Sequence, residues 1–188
     1  MAIRIISGNL KGKKINYLKN SNTRPLKDSV KENIFNILMH SNYIKIKLDG
    51  SKVLDLYSGV GSFGIECISR GAEKVTFVEK DNLALMILKK NLKNLSIIDK
   101  AKIFNDKAER VLNNKLVKKF DIFFLDPPFN DDEYMKNLIL IKKENLFAAD
   151  HVVIIHREKG SVDNLSKIIN VIDIKEYGRS KIIFSNFN

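Results

Sequence analysis

The sequence predicts an α/β fold: a doubly wound, mostly parallel seven-stranded sheet with helices on both faces, preceded by a small β-hairpin and helix extension. Three observations lead there. After Ser51, apolar strand-like runs alternate with helical patterns, as crossover units of a parallel sheet require. The first run, Val53–Tyr57, is apolar on consecutive positions, as a strand covered on both faces should be. The last two runs are separated only by Lys175–Lys181. That span is too short for a crossover helix, so an antiparallel pair is expected at one sheet edge.

Taken in order, Arg4–Ser7 and Lys14–Tyr17 read as two short strands joined by the Gly8–Gly12 turn. Thr23-Arg24-Pro25 is a break. Lys27–Met39 reads as an amphipathic helix, with Val30, Ile34, Ile37 and Leu38 on one stripe and Phe35 flanking it. Asp49-Gly50-Ser51 is a turn that divides a basic extension, residues 1–49, from a larger unit, residues 50–188. The strands of that unit are expected at Val53–Tyr57, Val75–Val78, Ala101–Phe104, Ile122–Leu125, Val152–Ile155, Val171–Ile174 and Ile182–Phe184. The helices are expected at Phe63–Arg70, Leu83–Leu95, Lys107–Leu116, Asp132–Ile141 and Val162–Ile168.

Composition narrows the function. At 188 residues with 44% hydrophobic and 29% charged positions, the chain can bury a core. One Cys excludes a disulfide framework and a Cys-based zinc site, and three His leave little for a His-rich metal site. No apolar run is long enough to span a bilayer, and the amino terminus lacks the apolar block of a signal peptide. The reading is a soluble cytoplasmic protein, expected as a monomer, with no metal and no membrane partner. The net charge is +11. An AT-rich genome could supply 27 Lys by bias alone, but the charge is uneven. Residues 1–49 carry ten basic and three acidic side chains, a net of +7, leaving +4 for residues 50–188. That concentration predicts a polyanion-binding face in the extension.

The chemistry is concentrated at strand ends. Gly59, Gly61 and Gly64 form G-x-G-x-x-G between a strand and a helix, where glycine lets a ligand approach the backbone. Glu79 ends the second strand, twenty residues after Gly59, where a carboxylate can hold ribose hydroxyls. These two features alone fit a Rossmann-like NAD site equally well. Asp55 points elsewhere: a buried carboxylate beside the glycine turn repels pyrophosphate and suits a cationic ligand. S-adenosylmethionine carries a sulfonium and an amine and no phosphate. Asp106 follows the third strand and can receive an adenine amino group or cap the next helix. The fourth strand ends in Asp126-Pro127-Pro128-Phe129. Its prolines remove two N–H donors, so the loop presents acceptors only. Two acceptors can orient an exocyclic amino group so that its lone pair faces a methyl donor. Phe129 offers a stacking face for a base. Cys67 reads as core, and His151 and His156 as surface or packing residues.

With both motifs in view, the sequence resembles class I S-adenosylmethionine-dependent methyltransferases, and more closely the RsmD family. The resemblance runs almost end to end: Arg4–Gly8 with Gly12, Thr23–Pro25, Lys31–Leu38, Val53–Gly64, Ile65-Glu66, Ser69–Ala72, Phe77–Glu79, Phe120–Phe129 and Tyr177-Gly178. It implies methyl transfer to the N2 amino group of a guanine in 16S rRNA of the assembling small ribosomal subunit. It implies that Asp55, Ser58, Gly59 and Gly61 hold the methionine side of the cofactor, that Glu79 holds the ribose and that Asp106 holds the adenine. Asp126, Pro127 and Phe129 would hold the target base. Arg4, Lys11, Lys13, Arg24 and Lys31 would hold RNA phosphates. The chain departs from the family's pattern at Leu26, where Thr is expected, at Lys31, where Arg is usual, and at His156, where an acidic residue is common. Rivals are an amino-group methyltransferase acting on DNA adenine or tRNA guanine, an NAD-dependent oxidoreductase, and a non-catalytic RNA-binding protein.

Overall fold

In the computed structural model, residues 3–17, 26–114, 116 and 118–188 are described. Arg24 and the Thr23–Pro25 break lie outside them. The main sheet has seven strands: β3 (Lys52–Leu56), β4 (Lys74–Val78), β5 (Ala101–Phe104), β6 (Phe120–Leu125), β7 (Phe147–Glu158), β8 (Asn170–Tyr177) and β9 (Ser180–Asn186). Their spatial order is β5-β4-β3-β6-β7-β9-β8. The first five are mutually parallel, while β9 runs antiparallel to both β7 and β8. The expected doubly wound sheet with an antiparallel edge is therefore the fold found.

Alternation along each strand explains the two layers. Val53, Val75, Phe77, Ile122, Phe124, Val152 and Ile154 face one side. There they meet α1 (Asp28–His40), α2 (Ser62–Ser69) and α3 (Asn82–Asn94). Leu54, Leu56, Phe123, Leu125, Val153 and Ile155 face the other side and pack on α4 (Ala108–Asn114) and α5 (Glu133–Lys143). Phe63 of α2 stacks between Phe35 of α1 and Phe124 of β6, at centroid distances of 5.2 and 4.0 Å.

The amino-terminal hairpin is shorter than expected. β1 (Ile3–Arg4) and β2 (Lys14–Ile15) pair antiparallel, Ile3 opposite Ile15. Ile5 N–H still donates across the hairpin to Lys13 C=O at 3.0 Å, but the two donors after it turn away: Ile6 and Ser7 N–H both bind the buried carboxylate of Glu66, at 2.8 and 3.0 Å. Ile3, Ile5, Ile15 and the α1 stripe join the same core as α2 and β3. The expected helix at Val162–Ile168 does not form. That stretch is irregular apart from one turn closed by Ile168 and Ile169 N–H on Leu165 C=O. Val162 is turned to solvent, and Asp163 is pulled inward by buried Arg157 and partly buried Lys181, which breaks the helical register.

Gly8 reports directly on how the hairpin docks. Its φ is +79°, and a Cβ there would lie 1.9 Å from Ser69 C=O at the end of α2. Gly8→Ala is expected to cost about 2–4 kcal/mol in urea unfolding. An unchanged midpoint would mean that the hairpin does not rest on α2.

Candidate functional site

One cavity of about 580 Å³ opens at the carboxyl ends of β3, β4, β5, β6 and β7. Parallel register creates it. Leu56 of β3 is opposite Leu125 of β6, so the chain leaves the two strands side by side. One exit carries the Ser58-Gly59-Val60-Gly61 turn and the other carries Asp126-Pro127-Pro128-Phe129. Open parallel sheets place their ligand crevice at such a point. Asp55, Ser58, Gly59, Glu79, Asp106, Asp126, Pro127 and Phe129 all line this cavity. Gly61 does not line it. It is the N-cap of α2 with φ +87°, where a Cβ would strike Leu88 Cδ1 at 2.4 Å, so it shapes the turn. Gly59 faces open space.

Among the described residues, four buried polar side-chain atoms have no hydrogen-bond partner: Asp55 Oδ1, Ser58 Oγ, Asn137 Oδ1 and His156 Nε2. All four residues line the cavity. Buried polar atoms are normally paired, so unpaired ones gathered in one place mark where a ligand supplies partners. Burial drives the Asp55 carboxyl well above its ordinary range, against the Gly64 N–H that donates to Oδ2 at 3.0 Å. A cationic donor near Oδ1 would reverse that desolvation cost. Glu79 Oε2 accepts from Gly59 N–H at 2.7 Å and Oε1 from Asp81 N–H at 2.8 Å, which anchors the turn to the end of β4. Asp106 Oδ1 accepts from Lys107 N–H at 2.8 Å and lies 3.7 Å from Arg110 Nη1. Among the described residues, no group of three or more His, Cys, Asp or Glu could hold a metal ion. None of the described helices is long and apolar enough to cross a membrane.

The loop after β6 is held from β7. Arg157 is 2% exposed, and its Nη1 donates to Pro128 and Asp131 carbonyls at 3.3 and 3.4 Å. Its guanidinium lies over the Tyr134 ring at 4.5 Å and pairs through Nε with Asp163 at 3.1 Å. On the opposite face of the strand, His156 Nδ1 lies 2.8 Å from Asp126 Oδ1. Tyr57, with φ +62°, accepts a 2.7 Å hydrogen bond from Asn137 Nδ2 and lines the cavity beside the loop. Burial holds the Tyr57 hydroxyl neutral by raising it above its ordinary value.

Sequence reading placed the glycine turn and the Asp-Pro-Pro-Phe loop in the site, but it set His156 aside and missed Tyr57, Asn137 and Arg157. No local signal marks His156: it follows Ile155, and only the pairing of Ile155 with Leu125 puts it beside Asp126. Lys31 requires a correction. Its side chain is fully buried, donating to Arg4 C=O at 2.9 Å and lying 3.7 Å from Glu66 Oε2. A lysine committed to a buried carboxylate cannot reach a phosphate. Arg4, Lys11 and Lys13 are exposed on the hairpin and stand apart from the cavity lining.

Solved structures share this fold. The yhhF protein of Escherichia coli superposes with a TM-score of 0.84 at 25% identity, covering 100% of this chain and 99% of the other. HI0767 of Haemophilus influenzae gives 0.79 at 30% identity over all of both chains. The fold is the Rossmann-like fold of these methyltransferase structures. The chain belongs to the RsmD family, whose model, described as conserved hypothetical protein 95, matches residues 3–186. A Buchnera aphidicola relative named ribosomal RNA small subunit methyltransferase D is 36% identical, over 84% of this chain and 78% of its own. The Haemophilus influenzae protein of the same name is also 36% identical, over 84% and 79%.

The Asp163 network makes a pH prediction. Burial alone would raise this carboxyl, but donors from Tyr134, Lys181 and Ser161 and the charge of Arg157 outweigh it and bring it down to about 2. A depressed carboxyl stabilises the fold above the ordinary value of about 3.9, and that contribution is lost as pH falls toward 2. The stability difference between wild type and Asp163→Asn in urea is expected to shrink by about 2 kcal/mol between about pH 6 and pH 2.5. A pH-independent difference would place Asp163 outside the network.

Proposed function

We propose that this protein transfers a methyl group from S-adenosylmethionine to the exocyclic N2 of a guanine in 16S rRNA. The observation that carries the reading is the single cavity shared by the glycine turn and the acceptor-only loop, with unpaired buried Asp55 Oδ1 and Ser58 Oγ at the turn side. The donor set fits the cofactor. Asp55 and Ser58 would take its ammonium, Glu79 its ribose hydroxyls and Asp106 its adenine amino group. When bound, S-adenosylmethionine supplies a methyl on a cationic sulfur, which is already a strong electrophile.

What remains for the chain is positioning. The Asp126 carboxylate and the Pro127 carbonyl would each accept one amino hydrogen, leaving the nitrogen lone pair directed across the cavity toward the turn. Phe129 would stack on a base that has left its helix. The proton of the alkylated amine passes to Asp126 or to water. The ribosomal RNA names of the relatives support the substrate class. The exposed Arg4, Lys11 and Lys13 would hold phosphates, with residues 1–49 acting as the RNA-facing extension. The glycine spacing alone supports an NAD enzyme, but the Asp55 carboxyl buried beside the turn would oppose a pyrophosphate there.

Methylation with labelled cofactor on free 16S rRNA, small subunits and tRNA, followed by mapping of the modified base, tests this directly. Transfer to guanine N2 in 16S rRNA is expected. Transfer only to tRNA or to an adenine would overturn the substrate assignment. Asp126→Ala is expected to lower kcat by about 100-fold or more, with cofactor affinity within about twofold of wild type. Full turnover would remove Asp126 from the mechanism. Replacing Arg4, Lys11 and Lys13 by uncharged residues is expected to flatten the logarithmic salt dependence of RNA binding by roughly two units. An unchanged slope would place the RNA face elsewhere.

A further inference from the structure

His156 is the cavity residue whose arrangement packing alone does not explain. It ends the apolar run of β7, is 7% exposed and lines the cavity beside Asp126 and Phe129, with its ring edge-on to Phe129 at 5.8 Å. A histidine kept only for packing has both nitrogens satisfied or turned to water. Here Nδ1 is committed to Asp126 Oδ1 at 2.8 Å, and Nε2 is buried without a partner. Where the Asp126 carboxylate is ionised it can only accept, and Nδ1 is then the nitrogen that donates to it. The fold spends a buried imidazole on fixing one oxygen of a carboxylate whose side chain is 25% exposed on a loop.

We propose that His156 is the positioning residue for the target-binding carboxylate, holding Asp126 Oδ1 so that only Oδ2 is offered to the substrate amino group. This rests on the methyl-transfer reading above. A carboxylate with both oxygens free can take two neighbouring N–H donors side by side, as the amino group and the ring N–H of a guanine present them. That grip keeps the amino group in the base plane, with its lone pair shared with the ring. With Oδ1 occupied, Asp126 takes one amino hydrogen and leaves the other to the Pro127 carbonyl. The division draws the nitrogen out of the plane and frees its lone pair for the methyl carbon. Arg157, on the opposite face of the same strand, fixes the loop backbone through Pro128 and Asp131. Two successive residues of β7 thus divide the work: Arg157 sets where the loop lies, and His156 sets how its carboxylate is turned.

The test separates positioning from packing. His156→Phe keeps an aromatic ring and removes the donor. His156→Asn removes the ring and keeps an N–H near the place of Nδ1. Single-turnover and steady-state methyl transfer, cofactor binding by calorimetry and thermal unfolding are measured for wild type and both variants. The expected pattern is a kcat lower by about 10–100-fold in His156→Phe and within about threefold of wild type in His156→Asn, with cofactor affinity unchanged in both. A packing role predicts the reverse order, with His156→Asn less stable and His156→Phe fully active, and would overturn the proposal. If His156→Phe fails to fold, a kcat loss in His156→Asn beyond about 10-fold overturns it equally. If wild type binds S-adenosylmethionine yet methylates no RNA, the functional reading fails and this inference with it. If wild type turns over and His156→Phe matches it, this inference fails alone.

Discussion

The parallel pairing of β3 with β6 is the constraint on which everything else depends. Register sets Asp55 opposite Phe124 and Leu56 opposite Leu125, so both chains leave the sheet at one level. A slip of β3 by one residue would turn Asp55 to the face away from Phe124 and offset the two exits. The strands hold their register because each is apolar on both sides and covered by helices on both sides. Core packing, rather than any interaction within the site, brings the glycine turn and the proline loop to one cavity.

The polar groups around that cavity carry opposite kinds of stress. Asp55, Ser58, Asn137 and His156 each leave one buried atom unpaired, at a cost of about 1–3 kcal/mol for each such group. Arg157, Asp163 and Lys181 form a closely paired set, and Arg157 ties it to the loop after β6. Unpaired atoms facing the cavity, with paired charges holding the loop after β6, are what a preorganised site requires. The same division separates Lys31 from the other basic residues of the extension. Its pairing with Glu66, which also receives Ile6 N–H, Ser7 N–H and Arg70, fastens the hairpin and α1 to α2.

Much of this was legible in the sequence, because periodicity and strand-end motifs are local signals. Ala101–Phe104 was expected and found with identical bounds, and the Lys175–Lys181 spacing gave the antiparallel edge. What escaped were features set by partners distant in sequence. The first hairpin strand stops early because of Glu66, about sixty residues away, and the second because Asn16 N–H turns to Asn91 Oδ1. The Val162–Ile168 helix is lost because Asp163 answers to Arg157 and Lys181. The resemblance gives Lys31 to an RNA phosphate, but its carboxylate partner lies on another helix and is invisible in the local sequence. His156 was passed over because its role exists only once β7 lies beside β6.

The central claim is that the crevice holds a cationic methyl donor against Asp55, and calorimetric titration of the purified protein with S-adenosylmethionine and with NADH addresses it most directly. The account predicts saturable binding of S-adenosylmethionine with one site per chain, weakened when Asp55 is changed to Leu, and no measurable heat with NADH. Tight binding of NADH together with none of S-adenosylmethionine would contradict it.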